Sequence, residues 1–138
     1  MNELRKYIKS MENGVLERNE VENLCIQVIA CFFSSEILVD EFCDMVLSIS
    51  RLEVYRNETI NPRIRNLLEQ ILIKHTDYGQ IEKRLNALLF IAVNLQLPNL
   101  VNKIKRTACY WEQRDSEEYC EIMHCVNIAE KNLQELMR

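Results

Sequence analysis

The chain has 138 residues, a length that fits one domain of ordinary size whose core forms without disulfides or a structural metal. Its 48% hydrophobic and 28% charged residues, with a net charge of −4, lie far from the composition of a disordered chain. Two isolated glycines, Gly14 and Gly79, exclude the phosphate-binding loop and the dinucleotide fingerprint, and with only two prolines they argue for helices joined by short turns.

The first residues, MNELRKYIKSMENG, are charged and amphipathic and lack the apolar stretch of a signal peptide. The longest apolar run, Ala87 to Val93, is far shorter than the roughly 20 residues of a membrane span. A chain of the cytoplasm or nucleus, with no membrane contact, is expected. There Cys25, Cys31, Cys43, Cys109, Cys120 and Cys125 stay reduced and act as small hydrophobes.

Helical periodicity begins at once. Leu4, Tyr7, Ile8 and Met11 share one face of a first helix over 2–12, ended by Asn13-Gly14 as a left-handed cap. A second starts at Asn19, with Glu22 as capping partner, and buries Val21, Leu24, Cys25, Val28, Ile29 and Phe32. Ser34 and Ser35 break it and cap a third, whose Leu38, Phe42, Met45, Ile49 and Leu52 recur at steps of four and three. Residues 56–60 read as a loop. Asn61-Pro62 then opens a fourth helix with Ile64, Leu67, Leu68, Ile71 and Leu72 inward, closing on Lys74-His75.

Asp77 and Gln80 cap a fifth helix, which carries the Ala87–Val93 run and is expected at the centre of the fold because it is apolar nearly all round. Pro98 starts a sixth, with Leu100, Val101, Ile104 and Ala108 inward. Asp115-Ser116 starts a seventh. Its stripe of Tyr119, Ile122, Val126, Ala129, Leu133 and Leu136 either completes the core or forms a dimer seam.

The expectation is therefore a single all-α domain over 1–138: an N-terminal helix at 2–12, then hairpins at roughly 19–53, 61–96 and 98–137. Helix starts recur about every 40 residues, near the period of HEAT and armadillo hairpins. The hairpins either stack as a short HEAT-like α-solenoid or close into a bundle.

Charge is uneven along the chain. Residues 1–60 hold 6 basic and 11 acidic side chains, residues 61–106 hold 8 and 3, and residues 107–138 hold 3 and 7. Arg63, Arg65, Lys103, Lys105 and Arg106 in the basic middle are candidate contacts for phosphates or an acidic partner. Glu36, Asp40 and Asp44, at four-residue steps, are expected on one flank of the third helix, where a basic partner would relieve their repulsion. Tyr110-Trp111 is a further candidate contact, since aromatics concentrate at binding hot spots.

Chemistry is poorly represented. Cys109, Cys120, His124 and Cys125 offer zinc-like donors, yet at the spacing of no common zinc module. His124 and Cys125 are adjacent, and adjacent helical residues do not face each other, which disfavours a thiol–imidazole pair. His75, at a helix end, suits capping. The expected function is a non-enzymatic protein–protein interaction scaffold or adaptor, without cofactor or metal, in a heteromeric complex. A homo-oligomer is also open, and RNA binding through the basic segment 61–106 is the alternative reading.

Overall fold

The computed structural model describes residues 2–110 and 116–138. The fold is all-α, and the chain forms two compact units, Met1–Leu68 and Glu69–Arg138. The first holds α1 (Asn2–Ser10), β1 (Val15–Leu16), α2 (Arg18–Phe33), α3 (Val39–Ser50), β2 (Glu53–Val54) and the start of α4 (Pro62–His75). The second holds the rest of α4, then α5 (Tyr78–Asn94), α6 (Pro98–Cys109) and α7 (Glu117–Leu136).

In the first unit α3 receives α1 and α2. Its core is built from Ile8 of α1, Val21, Leu24, Cys25 and Val28 of α2, and Phe42, Met45, Val46 and Ile49 of α3. The Phe42 ring lies 4.9 Å from that of Phe32, which anchors the end of α2 against α3.

Polar contacts pin the end of α1 to α3. The Ser48 hydroxyl donates to Glu12 Oε1 at 2.6 Å, and Arg51 Nη1 stands 3.3 Å from the same oxygen. The Ser48 hydrogen bond is the main reason that the Glu12 carboxyl sits below its ordinary value of 4.5; burial opposes it, and Arg51 and Lys9 add to the lowering. A depressed carboxyl stabilises the fold above its unfolded value, and that contribution is lost as pH falls through the folded value. Glu12→Gln should therefore reduce stability by under about 1 kcal/mol at neutral pH, since the group is partly solvated. Urea midpoints of variant and wild type should converge below the ordinary value of 4.5.

Several helix starts differ from the sequence expectation. α2 begins earlier: Glu20, rather than Glu22, reaches back to the N–H of Glu17 at 3.4 Å. α3 begins later, because Ser35 adopts a left-handed φ of 62° and carries the chain through a turn. Leu38 becomes its N-cap, with Glu41 reaching back to the Leu38 N–H at 3.3 Å. Leu38 is consequently exposed instead of buried. The caps at Asn61, Asp77 and Ser116 form as read, each side chain accepting from a backbone N–H in the first turn.

The left-handed residue after α1 is Asn13, with φ 64°, and not Gly14. Gly14 is needed for space, because a Cβ there would stand 2.8 Å from the Met11 carbonyl oxygen. That tight turn delivers β1 to β2 as a two-residue parallel bridge, with Val15 opposite Glu53 and the Glu53 N–H donating to Gly14 O at 2.8 Å.

In the second unit α5, α6 and α7 pack against one another. Ile81, Leu88, Ile91, Leu100, Val101, Ile104, Ile122, Val126 and Leu133 fill the core. The stripe on α7 completes that core from Ile122 to Leu133, while Leu136 at its end is exposed. α5 is not surrounded on all sides: Leu88, Leu89, Ile91 and Ala92 are buried, but Phe90 faces outward. α6 has Leu97 at its N-cap, a residue with no side-chain acceptor. The buried Glu69 of α4 takes over that role, accepting from the N–H groups of Asn99 and Leu100 at 2.9 and 3.3 Å and from Asn99 Nδ2 at 3.0 Å.

Candidate functional site

The residues singled out from sequence are distributed over both units. Glu36 lies in the turn before α3, so it does not continue a ridge with Asp40 and Asp44 along one helix. Asp44 faces α1, 3.6 Å from Arg5 Nη2. Tyr110, just past α6, is 86% exposed; Trp111 lies outside the described residues. Arg63 and Arg65 belong to the first unit, and Lys103, Lys105 and Arg106 to the second. On α6, Lys105 turns toward α7 and pairs with Glu130 at 3.2 Å, leaving Lys103 and Arg106 on another flank.

The donors of the zinc-like set do not converge. Cys109 Sγ lies 3.9 Å from the Tyr119 hydroxyl, and Cys120 is exposed, as is His124. Among the described residues no three His, Cys, Asp or Glu side chains are grouped to hold an ion.

The most distinctive surface is one that the sequence reading passed over, the outer face of α2. From Asn23 to Ser35 the chain carries no charged residue, although charged residues make up 28% of it. A helix with so little charge is ordinarily enclosed, yet α2 buries only one side. Ile26, Ala30 and Phe33, at i, i+4 and i+7, stand outward, with Ile26 at 50% and Phe33 at 65% exposure.

α1 runs beside this stripe. Glu3, Leu4 and Tyr7 of α1 face Gln27, Ala30 and Cys31 of α2 across a shallow groove. The face is apolar along its middle, with Glu3 and Glu36 near one end. Glu3 lines the groove, Glu20 lies in the first turn of α2, and the Glu36 N–H donates to Cys31 O at 3.0 Å. Burial first, and then Glu36, push the Cys31 thiol up from its ordinary value.

No family model matches this chain, and no curated protein or solved structure resembles it to a significant degree. The functional reading therefore rests on the chemistry of its own surfaces.

A second surface runs along the seam of α5 and α7. Leu89, Phe90, Val93, Ile128 and Ala129 line a cleft of about 380 Å³ rimmed by Asn86, Asn94 and Asn132. Toward the helix starts it passes into a more polar hollow, where α5 leaves helical geometry at Arg84 and Glu82, Lys83, Glu118 and Glu121 gather. Tyr78 stands at that end, its hydroxyl 3.5 Å from Glu118, with burial and then Glu118 pushing the phenol up to about 12.

The cysteines are free thiols in contrasting surroundings. Burial pushes Cys25 up to about 12, so it holds its proton and is a poor nucleophile. Cys120 is exposed. Thiol titration of the native chain should modify Cys120 rapidly while Cys25 and the buried Cys43 react only after urea is added. Equal rates for the three in the native chain would contradict the packing of α2 and α3.

Proposed function

We propose that this chain is a non-enzymatic interaction domain that binds a partner protein through a helix-built surface, as a scaffold or adaptor within a heteromeric complex. The observation that carries this reading is the outer face of α2, an exposed and charge-free apolar stripe bearing Ile26, Ala30 and Phe33. Exposed apolar side chains are common singly, but a stripe with exposed polar Asn23, Gln27 and Ser34 beside it has the anatomy of a recognition patch, an apolar middle inside a polar rim. Tyr7 and Leu4 widen it across the groove from α1.

We place the domain in a reducing compartment, cytoplasm or nucleus, where six free thiols persist. Its helices are proposed to continue the hairpin order of an α-solenoid, with helix faces serving as contact surfaces. The RNA reading has less support, because Lys105 is engaged by Glu130 and the chain carries net charge −4.

Quantitative affinity capture tests the proposal, with wild type, Phe33→Glu and Arg106→Glu as baits, each checked for helical content. Proteins retained by wild type and Arg106→Glu, resistant to nuclease and lost on Phe33→Glu are the expected result. An unchanged set on Phe33→Glu overturns the α2 surface. Loss of the set on nuclease treatment and on Arg106→Glu replaces it with nucleic-acid binding.

A further inference from the structure

The turn that follows α1 joins a reactive dipeptide to a structural latch. An asparagine carboxamide is a slow internal electrophile, open to attack by the backbone nitrogen of the next residue, and a glycine there leaves that nitrogen unshielded. Asn13 is the one asparagine of the chain followed by glycine; every other precedes a residue that bears a Cβ. Its side chain is exposed.

The fold holds this pair away from reaction. The Gly14 N–H donates to Met11 O at 2.9 Å, so attack requires that nitrogen to leave its hydrogen bond, lose its proton and turn toward Asn13 Cγ. The chain is also pinned on both sides of Asn13. Before it, Glu12 accepts from the Ser48 hydroxyl at 2.6 Å and pairs with Arg51 at 3.3 Å. After it, Gly14 O accepts from the Glu53 N–H at 2.8 Å. Asn13 sits between these fixed points at φ 64°. Turning its backbone means freeing the end of α1 from α3 and β1 from β2.

We propose that Asn13-Gly14 is a self-modification site, gated by the hold of α3 on the end of α1, whose product makes release of that end permanent. In the open turn the Gly14 nitrogen gives up its proton and attacks Asn13 Cγ. The N–Cγ bond forms, the Cγ–Nδ2 bond breaks, and ammonia leaves carrying the proton. Water then adds across one C–N bond of the cyclic imide. Opening at Cγ leaves aspartate at position 13 on the original backbone. Opening at the α-carbonyl carbon routes the backbone through the side chain as isoaspartate, one methylene longer. No electrons are exchanged. The longer link has no room in the native turn, where even a Cβ on Gly14 would stand 2.8 Å from Met11 O. Either product also sets a new carboxylate beside Glu12, and like charges there weaken the latch. The gate involves no partner, so it stands or falls apart from the α2 surface.

The test is incubation of the full chain at mildly alkaline pH, with peptide mapping by mass and by isoaspartate content. Native wild type, wild type in urea and Ser48→Ala are compared. Conversion is expected at Asn13 well ahead of Asn57, which is also exposed and left-handed at φ 55° but precedes Glu58. It should run about tenfold or more slower in the native than in the unfolded chain, because the open fraction of the turn sets the rate. Ser48→Ala should fall between them, and a urea series below the unfolding midpoint should give the same gradation without a substitution. In the isoaspartate fraction, the α1 amides and the Glu53 N–H should exchange hydrogen faster than in the unconverted chain. No lead of Asn13 over Asn57 in urea overturns the site. Equal rates in native and unfolded chain, or no gradation along the urea series, overturn the gate. Unchanged exchange in the isoaspartate fraction overturns the permanent release.

Discussion

Glu69→Ala should cost the chain about 3 kcal/mol, one of the largest losses expected from a single polar residue. Glu69 is 5% exposed, and its two oxygens accept from two backbone N–H groups at the start of α6 and from the side chain of Asn99. The first N–H groups of a helix have no partner within it, and Leu97 at the cap cannot supply one. The carboxylate meets that need from another helix, and its negative charge suits the positive end of the α6 dipole. Alanine leaves the N–H of buried Leu100 and the N–H of Asn99 without their acceptor and opens a small cavity, while the exposed Asn99 side chain turns to water. Glu69→Gln keeps one oxygen for the backbone groups and should cost about half as much. Urea denaturation of the two variants measures both values; a cost for Glu69→Ala within about 0.5 kcal/mol of wild type, as for an ordinary surface change, would show that the cap adds nothing.

That contact also shows where sequence reading stops. Pro98 marked the start of α6 correctly, because a fixed φ and a missing N–H suit the first helical position. Nothing at 97–100 says that its cap comes from position 69. Local signals served where the cap is local, at Asn61, Asp77 and Ser116. They misplaced α2 and α3, where several polar residues competed for the cap and a left-handed Ser35 displaced the start. The β1–β2 bridge was illegible for a simpler reason: two residues on each side are too short for any periodicity.

The candidate surface was half legible. Val21, Leu24, Cys25, Val28 and Ile29 were read as the inward face of α2 and are buried, while Ile26, Ala30 and Phe33 fell outside that set and were given no role. The signal passed over was charge rather than hydrophobicity, the unbroken neutral run from Asn23 to Ser35. The acidic set Glu36, Asp40 and Asp44 was found by spacing, but spacing presumes one continuous helix. Ser35 breaks that premise and leaves Glu36 beside Cys31 instead. Likewise Lys105 reads as part of a basic patch until α7 brings Glu130 to it.

Two phenylalanines separate folding from binding within the first unit. Phe42 is 1% exposed and meets Phe32 at 4.9 Å, and Phe32 in turn meets the outward Phe33 at 6.0 Å. Phe42→Ala should cost about 4 kcal/mol, combining the lost transfer energy with the cavity left between α2 and α3. Phe42→Leu, which fills most of that volume, should cost well under half of it. Phe33, 65% exposed, contributes little to the same core. Phe33→Glu should therefore change stability by no more than about 0.5 kcal/mol, the range of surface substitutions, while removing partner binding. Equilibrium denaturation of the three variants tests this directly. A loss of more than about 2 kcal/mol for Phe33→Glu would mean that the α2 stripe is part of the folding core and not a surface kept for a partner.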